Sequence, residues 1–196
     1  MSNFYFPKHN CVFIHIPKTG GTSIRKGFFK GNYEGPFFGK IPEKYSQCFK
    51  FAFVRNPFDR LISAWKHFTT GTDTISSKEK SSFRNISLES FLNIVTNNSI
   101  IYDGRRSTFK EKIRHHTIPQ THPFNCLNEA DFVGCFETLE KDFEVICEKL
   151  KIKSNRLPKI NKSKRSREYK NYFTPSTRKI TEKYYKKDLE KLGYKF

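Results

Sequence analysis

No stretch of this chain approaches the roughly twenty consecutive apolar residues that a membrane-spanning helix needs. The opening MSNFYFPKHNCVFIHIPKTGG lacks the charged start and long apolar core of a signal peptide. These two absences predict a cytoplasmic chain with no membrane anchor. Acidic residues are scarce: nineteen Asp and Glu stand against thirty-seven Lys and Arg, a formal net charge of +18. The excess points to an anionic partner, whether a nucleotide, a nucleic acid, an acidic polysaccharide or a membrane surface. The five cysteines are an odd number and form no CxxC pair, so they read as reduced thiols rather than a disulfide scaffold. No internal repeat is present, and the triphosphate-binding signature GxxxxGK[ST] is missing.

What the chain has in quantity is bulk: twenty-one Phe and nine Tyr in 196 residues, enough for one domain spanning residues 1–196 with a substantial core. Three short apolar runs, CVFIHI (Cys11 to Ile16), FKFAFV (Phe49 to Val54) and DFVGCF (Asp131 to Phe136), have the character of buried parallel strands. Each precedes a segment patterned as a helix. After FKFAFV, Asn56 and Pro57 are suited to the N-cap and first helical position, and Phe58, Leu61, Ile62, Trp65 and Phe68 then recur at helical spacing. After DFVGCF, Leu139, Phe143, Ile146 and Leu150 recur likewise. The final segment from Thr174 reads as one more helix, capped by Thr174 with Pro175 first. Strand and helix alternating predict an α/β domain with a central parallel sheet and helices on both faces. The polar stretches from Thr70 to Asn85 and from Asn161 to Asn171 are expected to be surface loops.

Two strand-to-helix junctions carry the chemistry. The first, PKTGGTS (Pro17 to Ser23), offers a lysine, three hydroxyls and two glycines at the entrance to a helix, where unpaired N–H groups favour an anion. Lys18 supplies a full charge, Thr19, Thr22 and Ser23 supply donors, and Gly20 and Gly21 admit an anion to the backbone. Its lysine precedes the glycines, and no acidic residue follows a strand as a magnesium ligand, so no metal is expected. The second junction, FVRNPFDRLISAW (Phe53 to Trp65), sets Arg55 at the end of a strand, where open α/β sheets bind ligands. Ser63 lies on the polar side of the following helix, about 9 Å along its axis from Pro57. An arginine fork and a serine hydroxyl suit a second phosphate.

These residues resemble the sulfotransferases that use 3′-phosphoadenosine 5′-phosphosulfate (PAPS), particularly the carbohydrate, Golgi-type branch and its soluble microbial relatives. The similarity continues through HHTIPQ, where His116 and Gln120 fit an H-x-x-P-Q pattern, then DFVGCFETLEKDF, LPKINKSKRS and YYKKDLEKLGYKF. The resemblance implies a P-loop-like three-layer α/β/α domain that moves a sulfuryl group from PAPS to a hydroxyl, on a saccharide or acidic glycan. It implies that Lys18, Thr19, Gly20, Gly21, Thr22 and Ser23 hold the 5′-phosphosulfate, with Lys18 catalytic at the leaving oxygen. It further implies that Arg55 and Ser63 hold the 3′-phosphate and that Lys164 and Arg165 fold over the nucleotide.

One departure stands out. Many relatives place a histidine shortly before the second strand, and GPFFGKIPEKYSQCFK (Gly35 to Lys50) contains none. The base that activates the acceptor hydroxyl is therefore sought among His116, His67, His15, Glu34 and Glu43, with His116 favoured by its place in H-x-x-P-Q. A zinc site built from His115, His116, His122, Cys126 and Cys135 matches no compact ligand spacing. Two other functions compete. A basic nucleic-acid-binding module would use the aromatic-interleaved SKRSREYKNYF. A small-molecule kinase would need the magnesium ligand that is missing.

Overall fold

The computed structural model describes residues 2–69, 83–100, 108–153, 157–158 and 168–196. The chain divides into two compact units, Met1–Arg55 with Gln120–Lys162 and Asn56–Pro119 with Ser163–Phe196. The strands are β1 (Ser2–Phe6), β2 (Cys11–His15), β3 (Glu34–Phe38), β4 (Phe49–Val54) and β5 (Phe132–Cys135). The α-helices are α1 (Pro57–Thr69), α2 (Leu88–Val95), α3 (Phe109–Thr117), α4 (Leu139–Lys149), α5 (Pro175–Tyr184) and α6 (Lys186–Leu192).

The first unit is built on a five-stranded sheet in the order β3-β1-β2-β4-β5. The three strands read from the sequence, β2, β4 and β5, are parallel. The sheet as a whole is mixed, because β1 runs antiparallel to both β2 and β3. The β1–β2 reversal is made by the turn Pro7–His9 and by Asn10 in the left-handed region (φ 45°). Alternation along β2 and β4 sends Cys11, Phe13, Phe51 and Phe53 to one face, where they pack with Ile24, Phe29, Phe143 and Ile146. Val12, Ile14 and Ala52 go to the other face, against Tyr45 and Cys48. Apolar residues in both alternating sets are the signature of a strand buried on both sides.

The helix expected after β2 is short and widened: Ser23–Phe28 is a π-helix, with Phe29 N–H donating to the Ile24 carbonyl at 3.0 Å. Gly27 inside it weakens the α-helical alternative. The wider turn brings residues five apart onto one face, which lets Ile24 and Phe29 both enter the core.

The second unit is helical. Asn56 caps α1 as the sequence predicts, its Oδ1 accepting from Phe58 N–H at 3.0 Å and its carbonyl from Arg60 N–H at 2.8 Å. Leu61, Ile62, Ala64 and Phe68 of α1 pack with Phe91, Leu92 and Val95 of α2, Ile113 of α3 and Tyr185. The C-terminal helix of the sequence reading starts with Thr174 as cap and Pro175 in its first turn, but it breaks in two at Tyr185. That side chain is wholly buried and its hydroxyl donates to the Thr117 carbonyl at 2.6 Å, so the backbone bends to drive it inward. Of the two expected loops, residues 70–82 and 161–167 lie outside the described residues. Among the described residues no helix is long and apolar enough to cross a membrane.

Candidate functional site

Pro17–Ser23 leaves the end of β2 and turns into the π-helix. Lys18, half-buried, takes a left-handed backbone (φ 71°) and Gly20 another (φ 87°). For a lysine this conformation costs about 1–2 kcal/mol and persists only where surroundings enforce it. Thr19 is wholly buried and braces the loop from within, its hydroxyl donating to the Ile16 carbonyl at 2.7 Å. Ser23 N–H donates to the Gly20 carbonyl at 3.0 Å.

The glycines have packing reasons. A Cβ on Gly20 would lie 2.9 Å from Leu139 Cδ2, and one on Gly21 would overlap the His15 ring. The space left by the missing side chains is thus filled by the protein, which presses the loop flat onto β2 and the start of α4. The donor set still suits an anion: from Cys11 to Tyr33 the chain carries Lys18, Arg25, Lys26 and Lys30 and no acidic residue.

Arg55 follows the last residue of β4 and is 6% exposed. Its Nη1 donates to the Lys18 carbonyl at 2.9 Å, and its guanidinium lies over the Phe136 ring, 3.9 Å from the centroid. Phe136 also borders Gly20, whose added Cβ would lie 3.4 Å from Phe136 Cδ2. The two junctions singled out in the sequence therefore meet in the first unit, on a floor supplied by the third. Ser63 belongs to the second unit, half-buried on α1. Lys164 and Arg165 lie outside the described residues.

The base candidates separate by environment. Burial, reinforced by Arg25 and then Lys18, holds the His15 imidazole down to about 3, so it is neutral and weakly basic at physiological pH. Glu34 sits on edge strand β3 and accepts from the Tyr45 hydroxyl and from Lys44 Nζ. Those bonds hold its carboxyl below the ordinary glutamate value. Glu43 is exposed on the turn Glu43–Tyr45. His116 is half-buried near the end of α3, and its Nδ1 lies 2.8 Å from the Lys112 carbonyl. A carbonyl only accepts, so Nδ1 carries the proton and Nε2 is the basic nitrogen of the neutral ring. The His67 ring lies beside it, centroids 5.7 Å apart. Among the described residues no group of three or more His, Cys, Asp and Glu side chains could hold a metal ion.

The sequence reading gave no role to Gln120 or Phe136. H-x-x-P-Q was its only signal for Gln120, and nothing in the pattern says that this side chain turns back to Arg55, as it does here through two hydrogen bonds.

A model of the sulfotransferase family matches residues 2–195, nearly the whole chain. No curated protein and no solved structure matches it.

Proposed function

We propose that this chain, which belongs to the sulfotransferase family, in its family 2 branch, moves a sulfuryl group from PAPS to a hydroxyl of a saccharide. The observation that carries the reading is the 2.9 Å bond between Arg55 Nη1 and the Lys18 carbonyl. It joins two cationic segments at the ends of neighbouring parallel strands, as a nucleotide with a phosphate group at each end of its ribose requires. Family membership supports a sulfotransferase enzyme, and the family in general uses PAPS with a hydroxyl-bearing acceptor. The match from residue 2 to 195 supports reading both units as parts of one sulfotransferase domain with the family's three-layer architecture.

The bound donor supplies an activated sulfuryl group whose leaving group is 3′,5′-adenosine diphosphate. Lys18 neutralises charge at the 5′ leaving oxygen, the main electrostatic task in such in-line displacements. Backbone N–H groups from Thr19 to Thr22, with the Thr22 and Ser23 hydroxyls, hold the 5′ group. Arg55 grips the 3′-phosphate, and the family resemblance adds Ser63, Lys164 and Arg165 to the residues that hold the nucleotide. His116 takes the acceptor proton at Nε2, its tautomer set by the Lys112 carbonyl. The net charge of +18 favours an acidic glycan.

The test is transfer of labelled sulfate from PAPS to a panel of glycans. Wild type labels at least one, and His116→Ala loses about 10²–10⁴-fold in turnover while its affinity for 3′,5′-adenosine diphosphate holds. No labelled acceptor with wild type sinks the reading; undiminished turnover of the variant removes His116 as base.

A further inference from the structure

β4 pairs with β2 as far as Ala52 and with β5 as far as Val54. Arg55 therefore stands one residue beyond the ladder, yet it is buried, and its main-chain N–H and C=O need partners. Gln120, itself wholly buried, provides both. Its Oε1 accepts from Arg55 N–H at 2.9 Å and its Nε2 donates to the Arg55 carbonyl at 2.8 Å. The side-chain amide thus does what one residue of a further strand would do. Only one orientation of that amide satisfies both bonds, since an N–H must meet oxygen and a carbonyl must meet nitrogen. Gln120 is held in turn by Asn125 Nδ2, which donates to its main-chain carbonyl at 2.9 Å.

From Arg55 the chain of bonds continues to Lys18, whose carbonyl it holds at 2.9 Å while Phe136 supports the guanidinium from below. Lys18 has the left-handed backbone that a lysine adopts only under constraint, and the bond to its carbonyl is a constraint of the right kind. Two roles for Gln120 can be told apart. As a mere seal for buried polar groups it contributes stability alone. As a link in this chain it also fixes the geometry of the Lys18 loop.

We infer that Gln120 is a positioning residue which, acting through Arg55, locks the Lys18 loop, so that the two phosphate grips behave as one rigid element. The nucleotide part of this inference rests on the function proposed above; the mechanical part does not. A consequence separates it from the simple two-grip picture. If Arg55 only read the 3′-phosphate, loosening it would leave the affinity for 5′-AMP untouched. If Arg55 also ties the loop, affinity for 5′-AMP falls too.

Gln120→Met keeps the bulk and removes both hydrogen bonds. Gln120→Glu keeps the acceptor for Arg55 N–H and serves where the Met variant does not fold. Both are measured well below their unfolding temperatures, for affinity toward 5′-AMP and 3′,5′-adenosine diphosphate and for amide hydrogen exchange without nucleotide. Gln120→Met is expected to weaken both nucleotides by about ten- to a hundredfold, the worth of the hydrogen bond from the charged Arg55 guanidinium to the Lys18 carbonyl that it loosens. It also speeds exchange across residues 16–23 while β1 stays at the wild-type rate; Gln120→Glu shows the same pattern to a smaller extent. Lowered thermal stability with both affinities and loop exchange unchanged would reduce Gln120 to a seal and overturn the inference. Loss confined to 3′,5′-adenosine diphosphate, with loop exchange unchanged, would overturn it as well. If wild type binds neither nucleotide, the proposed function fails, and faster loop exchange in the variant would still support the mechanical lock.

Discussion

Lys18→Ala lowers sulfuryl-transfer turnover by about 10²–10³-fold, the usual cost of removing one preorganised group that faces developing charge. The expectation comes from place as well as type. Lys18 is the one lysine between the end of β2 and the first residue of the π-helix, and its main chain is tied to Arg55. Its left-handed backbone (φ 71°) raises a second explanation for any loss, because alanine shares the strain of that conformation without the long side chain, and the loop can relax out of it. Lys18→Gly resolves the ambiguity: glycine adopts such a φ without strain yet carries no charge. Release of 3′,5′-adenosine diphosphate should fall equally in both variants. Activity retained by the glycine variant would show that the loop's shape matters and the ammonium does not.

The second large effect concerns stability. Arg60→Leu lowers the melting temperature by roughly 6–12 °C, from about 3 kcal/mol lost at about 2–4 °C per kcal/mol for a chain of this size. Arg60 is 1% exposed. Its Nη1 donates to the His116 carbonyl at 3.1 Å, and its Nη2 to the carbonyls of Thr117 (3.4 Å) and Ile118. It thus places a cation at the C-terminal end of α3, where the helix dipole is negative. The Tyr185 ring packs 5.6 Å from the guanidinium carbon, and its hydroxyl shares the Thr117 carbonyl. Leucine fills part of the volume and leaves buried carbonyls with fewer donors, which is the expensive half of a broken hydrogen bond. Thermal unfolding followed by circular dichroism measures the shift; a change below about 3 °C would show that water takes over the guanidinium's role.

Legibility in the sequence followed the strength of the local signal. The strands β2, β4 and β5 were plain because their apolar runs end abruptly at Pro or polar residues, and α1 was plain because Asn56 and Pro57 mark its start. β1 was missed because SNFYF sets two polar residues before three aromatic ones with no alternation, and only the sheet reveals which side chains it buries. β3 is mostly exposed, with Gly35 and Pro36 inside it, and carries almost no apolar signal. The widened turn after β2 depends on where Ile24 and Phe29 must point, a tertiary demand that local propensity does not encode. In the site, Lys18 and Arg55 were legible as types of residue at types of junction. Gln120 and Phe136 were not, because their importance lies in what they touch: a main chain 65 residues away in sequence and a guanidinium from another strand's end.

The claim on which the account depends is that a single nucleotide spans the Lys18 loop and Arg55. Titration calorimetry of the wild-type chain with 5′-AMP, 3′-AMP and 3′,5′-adenosine diphosphate, without divalent metal, tests it directly. Two grips on one ligand act as linked sites, so the diphosphate should bind about 10²-fold or more tightly than either monophosphate. Affinities for the diphosphate and for 5′-AMP that agree within a few-fold would contradict it.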